Sequence, residues 1–341
     1  MRRSGKLSGV SGGHLFPAGR MRALIFALVL AFLLMFPGGA CAKKGSPRWE
    51  TKFEGIEEPY FSVVWLTDTQ TMTEHPRLYP ALKSMFRWII ESKDTCNTIC
   101  VIHTGDIVEY GGNEDYWAMI TPLIEEVSAF LPFISVAGNH DIDHGDKDWS
   151  YYLSQPFLKE TDSTTLYRDG KGICTLMNSN GTEVLFVGLG YDMTDQDAIR
   201  WAKDVFEEHP LATGVFLTHS YLGYATSKTS MYTKNGVLFR DRLVAACPQI
   251  SFVLCGHKKG ACHIVERYDE DGNGTAERIV HVMRYNYQGN NTLKRAGFLR
   301  VLTVFPSSGR LRVYTYAPYS DLEVCDPRFS KQEYFFIEGL V

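Results

Sequence analysis

The sequence predicts one α/β domain with mixed sheets, and three features predict it. Short apolar, β-branched runs alternate with amphipathic helical stretches between Phe61 and Leu254. The last third of the chain is nearly all strand. No internal repeat and no second domain boundary interrupts the 341 residues. The first run, Phe61-Ser62-Val63-Val64-Trp65-Leu66, has the length and β-branching of a buried strand. Leu78, Leu82, Met85, Phe86, Ile89 and Ile90 then recur at helical spacing, giving an amphipathic helix to about Lys93. A second strand over 98–102, a helix over about 114–130 and a strand over 133–136 follow. Residues 173–190 read as a hairpin turning at Asn180-Gly181. Thr194-Asp195-Gln196-Asp197 caps a helix that runs to about Glu208. The strand 214–217, a helix near 236–246 and the strand 250–254 complete the alternation; strands at 261–268, 278–286, 297–305 and 310–317 fill the rest.

Composition sets the class. Hydrophobic residues make up 45%, aromatic residues 13% and charged residues 22%, the balance of a chain with a sizeable core rather than a disordered or collagen-like one. The net charge of −4 hides an asymmetry. Residues 1–42 hold five cations and no acid, leaving 30 cations against 39 acids, a net of −9, in the remainder. Such a surface is not one for nucleic acid, and no nucleic-acid partner is expected.

The N-terminus reads as an export signal. Met21-Arg22 precedes an apolar run over residues 23–36, too short to span a bilayer comfortably, and Ala40-Cys41-Ala42 has the A-x-A form of a cleavage site. Residues 1–42 are therefore expected to be a signal peptide, with translation starting possibly at Met21. The mature protein is expected to be extracytoplasmic, periplasmic or secreted, with no transmembrane span after cleavage. A lipid on Cys41 and an uncleaved anchor are the alternatives, the first disfavoured by Gly38 where a lipobox prefers Leu. Residues 43–58, polar and bracketed by Pro47 and Pro59, read as a linker, which puts the domain at 59–341. The seven remaining cysteines are odd in number and scattered, so no disulfide framework is legible: Cys96 with Cys100 or Cys255 with Cys262 are possible pairs, buried free thiols the equal alternative.

Each apolar strand runs into a short polar cluster. The clusters are Thr67-Asp68-Thr69-Gln70, His103-Thr104-Gly105-Asp106-Ile107-Val108-Glu109, Ala137-Gly138-Asn139-His140-Asp141, Thr218-His219-Ser220, and Cys255-Gly256-His257-Lys258-Lys259-Gly260. In open α/β sheets the carboxyl ends of the strands form the binding crevice, so the clusters are expected to converge on one edge. Carboxylate, amide oxygen and imidazole together suit a divalent cation of the Mn, Fe, Zn or Mg type. Singly, each residue is more often a turn, a cap or a core histidine; the case rests on the ordered set.

That set, D-x-Q, GD-x-x-E, GNHD, H and GH, resembles the calcineurin-like metallophosphoesterases over about residues 60–320. Leu66-Thr67-Asp68-Thr69-Gln70 and Asp271-Gly272-Asn273-Gly274-Thr275-Ala276-Glu277-Arg278 resemble, more narrowly, an exported bacterial branch with Asp-Thr-Gln in the first motif. The resemblance implies a four-layer αββα sandwich of two mixed sheets flanked by helices, with a two-metal site at the strand ends. It also implies roles. Asp106 would bridge both metals; Asn139, His219 and His257 would complete one site; Asp68 and Gln70 would serve the other. His140 would stand beside the scissile phosphate as the leaving-group acid, and Glu109 would orient it and raise its basicity. The implied reaction is hydrolysis of a small phosphorylated substrate, a phosphomonoester or phosphodiester, by a metal-bound hydroxide.

Two positions depart from the family, both on the second metal. Gln70 stands where histidine is usual, and Lys259 replaces the second histidine of GH-x-H. One complete site and one weakened site of oxygen donors, Asp68, Gln70 and Asp106, are therefore expected. Either Lys259 points away and the second metal binds weakly, or its ammonium replaces that metal and binds the substrate phosphate together with Asn139 and His140. Lys258 is the other candidate clamp, since adjacent strand residues face opposite ways. The competing class is a catalytically impaired protein of this fold that binds a phosphorylated ligand without turnover; a metal-stabilised structural protein is a third. Asp269-x-Asp271-x-Asn273-Gly274 opens like a calcium loop but has Val280 where a bidentate Glu belongs, so a hairpin turn is expected there. Asp143, His144 and Asp146 are candidate pocket residues or a solvated loop. Tyr285, Asn286, Tyr287 and Gln288 are candidate substrate contacts, and His103 is expected in the core. Trp149, Tyr151, Tyr152, Tyr221 and Tyr224 form either a substrate wall or packing. Substrate identity and oligomeric state are not legible.

Overall fold

The computed structural model describes residues 47–143, 147–224, 231–289, 292–323 and 325–340. The expected signal segment with Cys41, and His144 and Asp146, lie outside these residues. Residues 47–341 form one compact unit.

Two mixed sheets make the middle of this unit. The first has the order β13-β12-β11-β1-β2-β3. Its strands are β1 (Phe61–Leu66), β2 (Thr98–His103), β3 (Phe133–Ser135), β11 (Leu299–Phe305), β12 (Arg310–Tyr316) and β13 (Tyr334–Ile337). β1, β2 and β3 are parallel, and the remaining pairs antiparallel. The second sheet has the order β4-β5-β6-β7-β8-β10-β9. Its strands are β4 (Thr164–Tyr167), β5 (Gly172–Ser179), β6 (Thr182–Leu189), β7 (Thr213–Thr218), β8 (Ile250–Cys255), β9 (Gly260–Tyr268) and β10 (Arg278–Asn286). β6, β7, β8 and β10 run parallel, with antiparallel pairs at both edges.

Three apolar layers hold the sandwich, and strand alternation assigns residues to them. Phe61, Val63 and Trp65 of β1 pack between the sheets with Ile102, Phe186, Leu217 and Leu254. Val64 and Leu66 face the other way, onto α2 (Tyr79–Ser92) and α3 (Glu114–Ser128), which supply Leu82, Met85, Phe86, Ile89, Ile120 and Ile124. On the outer face of the second sheet, α5 (Gln196–Glu208) and α6 (Lys234–Arg242) bury Ala198, Ala202, Phe206 and Phe239 against Val187, Phe216 and Val253. Two mixed sheets flanked by helices are the expected architecture. The helices begin where capping chemistry allows: the side chains of Asn113, Asp195 and Thr233 accept the N–H groups of Asp115, of Asp197 and Ala198, and of Gly236.

The elements agree with the sequence reading within a few residues, with additions and one correction. Two short helices, α1 (Gln70–Glu74) and α4 (Ser150–Leu153), and the edge strands β4 and β13 escape the sequence patterns. The correction concerns the linker. From Pro47 onward the segment 43–58 is packed: Trp49 and Phe53 are buried in the α2 side of the first sheet, and Trp49 meets Trp88 edge-on at 5.5 Å. A polar average hides two aromatics, Trp49 and Phe53, that flank a single turn of 3₁₀ helix, Glu50–Lys52. The acidic stretch 269–277 is the connection of the β9–β10 hairpin, as expected. Among the described residues, Cys96, Cys100, Cys174, Cys247, Cys255 and Cys262 are free thiols.

Candidate metal centre

β1, β2, β3, β7 and β8 end at a common edge, and the polar clusters meet there. Three of the residues sit in the left-handed backbone region, Asp68 (φ 51°), Asp106 (φ 56°) and His257 (φ 68°), strain that the surrounding loops hold in place. The loops touch through glycines. A Cβ on Gly138 would lie 2.2 Å from the Asp106 nitrogen, and one on Gly256 would lie 2.2 Å from Asp68 Oδ2. Asp141 ties two of the loops together: its carboxylate accepts the N–H groups of Ile107 (2.7 Å), Val108 (3.0 Å) and Gly138 (2.7 Å).

Asp106, His219 and His257 bring one ligand atom each within 4.8 Å of one another. His219 donates Nδ1–H to the Thr104 carbonyl at 2.8 Å, which turns Nε2 inward. That Nε2 lies 3.1 Å from Asp106 Oδ2 yet makes no aligned hydrogen bond, and Gln70 Oε1 is buried with none. Buried polar atoms left in this way beside carboxylate and imidazole donors are what a cation site requires. Asn139 is buried in the same loop cluster. The charges are set accordingly. Burial opposes the imidazolium of His219, but Asp106 outweighs it and holds the ring up at about 9. Burial would raise Asp106, yet the His219 charge beside it carries it below the ordinary carboxylate range. Burial, with the His219 charge behind it, lowers His257 to about 3, so its ring is neutral. Burial also raises Asp68 and Asp141 to about 7. A cation among these groups would favour the ligating form of every one of them.

His140 stands at the rim. Its backbone N–H donates to Asp106 Oδ1 at 3.0 Å, and its Nε2 lies 4.0 Å from Asp106 Oδ2. Its Nδ1 lies 2.9 Å from the Glu109 carbonyl and 3.4 Å from Glu109 Oε1, so the carboxylate named in the sequence does face it, alongside its own backbone oxygen. Glu109 is raised by burial, against the pull of His140.

The residues expected to serve a second metal are differently placed. Gln70 presents its amide nitrogen to Asp106 Oδ2 at 3.1 Å. Asp68 is held by Thr67 Oγ1 (2.6 Å), the His257 N–H (3.2 Å) and Asn286 Nδ2 (2.6 Å). Lys259 is exposed; its backbone N–H donates to Tyr224 Oη at 2.9 Å, and its ammonium runs beside Gly289, a Cβ on which would lie 3.5 Å from Nζ. Lys258 instead borders a cavity of about 420 Å³ that His257, Tyr191, Tyr224, Lys234 and Asn235 also line. A second cavity, about 770 Å³, opens beside Glu109 and is lined by Tyr110, Asn113, Glu114, Asp115 and Asp143. The first cavity thus carries two lysines and Asp192 among aromatic rings, and the second is acidic.

Other expectations resolve as follows. His103 is fully buried, lowered to about 3 by burial, and bonded to Thr69 Oγ1 at 3.1 Å, a core role. Tyr152 and Tyr221 are fully buried and serve packing, whereas Tyr224 is half-exposed beside the cavity. Asp143 accepts the Gly112 N–H. Three residues gain roles that the sequence reading did not give them. Asp141 is the loop tie, Asn286 the partner of Asp68, and Tyr191 the ring that packs on His219 and His257 at 6.1 and 5.9 Å. Asp141 and Tyr191 follow strands and Asn286 ends one, the one signal that marked them.

The chain is similar to known proteins. Residues 61–259 match the family model described as calcineurin-like phosphoesterase. A Bacillus subtilis (strain 168) protein, called uncharacterized protein YvnB, is 29% identical over 265 residues, which is 76% of this chain and 20% of that protein. The chain therefore spans about a fifth of the length of that relative. Among solved structures, the purple acid phosphatase PPD1 from yellow lupin (Lupinus luteus) seeds has the same fold. Its TM-score is 0.54 at 15% identity, over 83% of this chain and 54% of that one. The family match runs over more than half of the chain and through every ligand-bearing strand end described above, and the chain belongs to the calcineurin-like phosphoesterases.

Proposed function

We propose that this protein is a metal-dependent hydrolase of a small phosphomonoester or phosphodiester that works outside the cytoplasm. The observation that carries the reading is the convergence of Asp106, His219 and His257 around inward-facing ligand atoms, with His140 at their edge. Asp106, Asn139, His219 and His257 fit one divalent cation of the Mn, Fe, Zn or Mg type, being mixed oxygen and nitrogen donors. When bound, the cation supplies positive charge for the phosphoryl oxygens and a lowered pKa for the attacking water. The chain's own groups do the rest. Thr104 fixes the His219 ring so that Nε2 remains a ligand. The Glu109 carbonyl and carboxylate hold His140 through Nδ1, which leaves Nε2 to carry a proton to the leaving oxygen. Lys258, on the cationic cavity, is better placed than Lys259 to meet an anionic substituent.

The extracytoplasmic location is supported by the apolar run 23–36 and Ala40-Cys41-Ala42. No helix among the described residues is long and apolar enough to cross a membrane. A second reading, a protein that binds a phosphorylated ligand without turnover, is favoured by one observation: the Asp68 carboxylate is engaged in hydrogen bonds to protein through both of its oxygens.

The test is hydrolysis of an aryl phosphodiester and an aryl phosphomonoester by the mature chain with added Mn²⁺, Mg²⁺, Ca²⁺ or Zn²⁺, with His219→Ala as control. Turnover that needs metal and is lost in the control is the expected result. A chain that binds a cation and turns over neither ester supports the binding protein instead.

A further inference from the structure

Asn286 ends β10, is fully buried, and lies on none of the five motifs expected to supply ligands. Its amide has one orientation only. Oδ1 accepts the Gln288 N–H at 3.0 Å, while Nδ2 donates to the His257 carbonyl at 3.0 Å and to Asp68 Oδ1 at 2.6 Å. Turning the amide over would set NH₂ against N–H and oxygen against two oxygens, so Asn286 is a donor here and not a cation ligand. Asp68 is then nearly used up. Oδ2 accepts Thr67 Oγ1 and the His257 N–H, and it is wedged where Gly256 leaves no room for a Cβ; Oδ1 is held by Asn286. A carboxylate oxygen has about two acceptor directions, so one direction of one oxygen is left. The other oxygen donor of that set, Gln70, turns its NH₂ to Asp106.

We propose that Asn286 is a positioning residue that converts the second cation site of this centre into a protein hydrogen-bond node, so that the chain takes one divalent cation, at Asp106, Asn139, His219 and His257. The clamp does the mechanical work that a second ion would otherwise do. It ties the loop after β1, in one sheet, to the His257 loop in the other, through the same Asp68 carboxylate. The inference rests on the reading of the centre as a cation site but not on turnover.

The experiment counts ions. Purified protein is loaded with Mn²⁺ and desalted, its metal-to-chain ratio is measured, and its electron paramagnetic resonance spectrum is recorded. One equivalent with the signal of an isolated ion is expected; two equivalents with the signal of a spin-coupled pair overturns the proposal. Asn286→Asp removes the NH₂ that occupies Asp68 Oδ1 and sets an anionic oxygen beside it, so the ratio should double and the coupled signal appear. A variant that folds and still binds one equivalent overturns the clamp. Lys259→His separates the alternative cause: with Asn286 in place the ratio should remain at one, and a rise to two would assign the loss of the second ion to Lys259. Should Asn286→Asp fail to fold, the wild-type count and the Lys259→His count decide alone. Ion counts are independent of activity, so a ratio of one without turnover sinks the hydrolase reading only, and a ratio of two with turnover sinks the clamp only.

Discussion

His140 has two neighbours on one ring nitrogen, and they do different jobs. The Glu109 carbonyl, 2.9 Å from Nδ1, is a directional acceptor and fixes the ring; the carboxylate at 3.4 Å places a negative charge beside it. Removing the imidazole and removing only the charge should therefore have unequal effects. His140→Ala is expected to lower kcat by about 10²–10⁴-fold, the range for loss of a positioned proton donor. Glu109→Gln keeps the shape and the backbone acceptor, so kcat should fall by only about tenfold, with KM little changed. Steady-state kinetics on the preferred aryl ester checks both. A Glu109→Gln variant as damaged as His140→Ala would make the carboxylate the acid. At this scale most of the centre was readable in the sequence, because each ligand type stands at a strand end. The hydrogen-bond partners were not. Asn286 lies far along the chain from Asp68, and nothing local in either segment says that the two sheets bring their amide and carboxylate within 2.6 Å.

The β9–β10 hairpin has a second pair of histidines, away from the centre. His263 Nε2 and His281 Nδ1 lie 3.1 Å apart, one ring stacked on Phe335 and the other on Phe252. One hydrogen joins two nitrogens, so the pair needs at least one neutral ring. Burial lowers His263 to about 4 and lowers His281 as well, each with the push of a neighbouring cation. The sign follows: groups depressed in the folded state give stability that is complete above their ordinary value of 6.5 and is lost as pH falls through about 4. The urea midpoint is expected to drop between pH 7 and pH 5, and His263→Phe should flatten that dependence by keeping the stack without the titration. An unchanged slope in the variant would put the acid sensitivity elsewhere. Elements were legible in proportion to their length and independence. α2, α3 and α5 carry their own apolar stripe and, for α3 and α5, their own cap, whereas β13 is a four-residue edge strand defined only by pairing with β12. α1 is one turn of helix opened by Gln70, and no stripe of five residues separates a helix from a turn.

From Pro47 onward the described residues form two sheets and three apolar layers, with the centre on one edge, and its loops are fixed by strands drawn from both sheets. The alternation of strands and helices was legible, but strand order was not, because the pairings of β1 with β11 and of β8 with β10 join segments whose partners are chosen by shape rather than by local pattern. The segment before β1 shows the same limit. It reads as a tether by composition, yet it closes the α2 side of the first sheet. Trp49 and Phe53 are buried there, Arg312 lies 4.5 Å over the Phe53 ring and donates to the Lys52 carbonyl, and Lys52 pairs with Glu323 at 3.2 Å. A chain begun at residue 59 should lose both aromatics from that layer. At about 1.5–3 kcal/mol for each fully buried large apolar side chain, the loss is about 3–6 kcal/mol, a large share of the stability of an ordinary domain. Trp49→Ala alone should cost about 3–5 kcal/mol, because Trp88 is left facing a cavity. Urea titration of chains begun at residues 47 and 59, and of Trp49→Ala in the longer one, checks this. A chain begun at residue 59 with the same midpoint and slope would restore the segment to a linker and put the edge of the fold at β1.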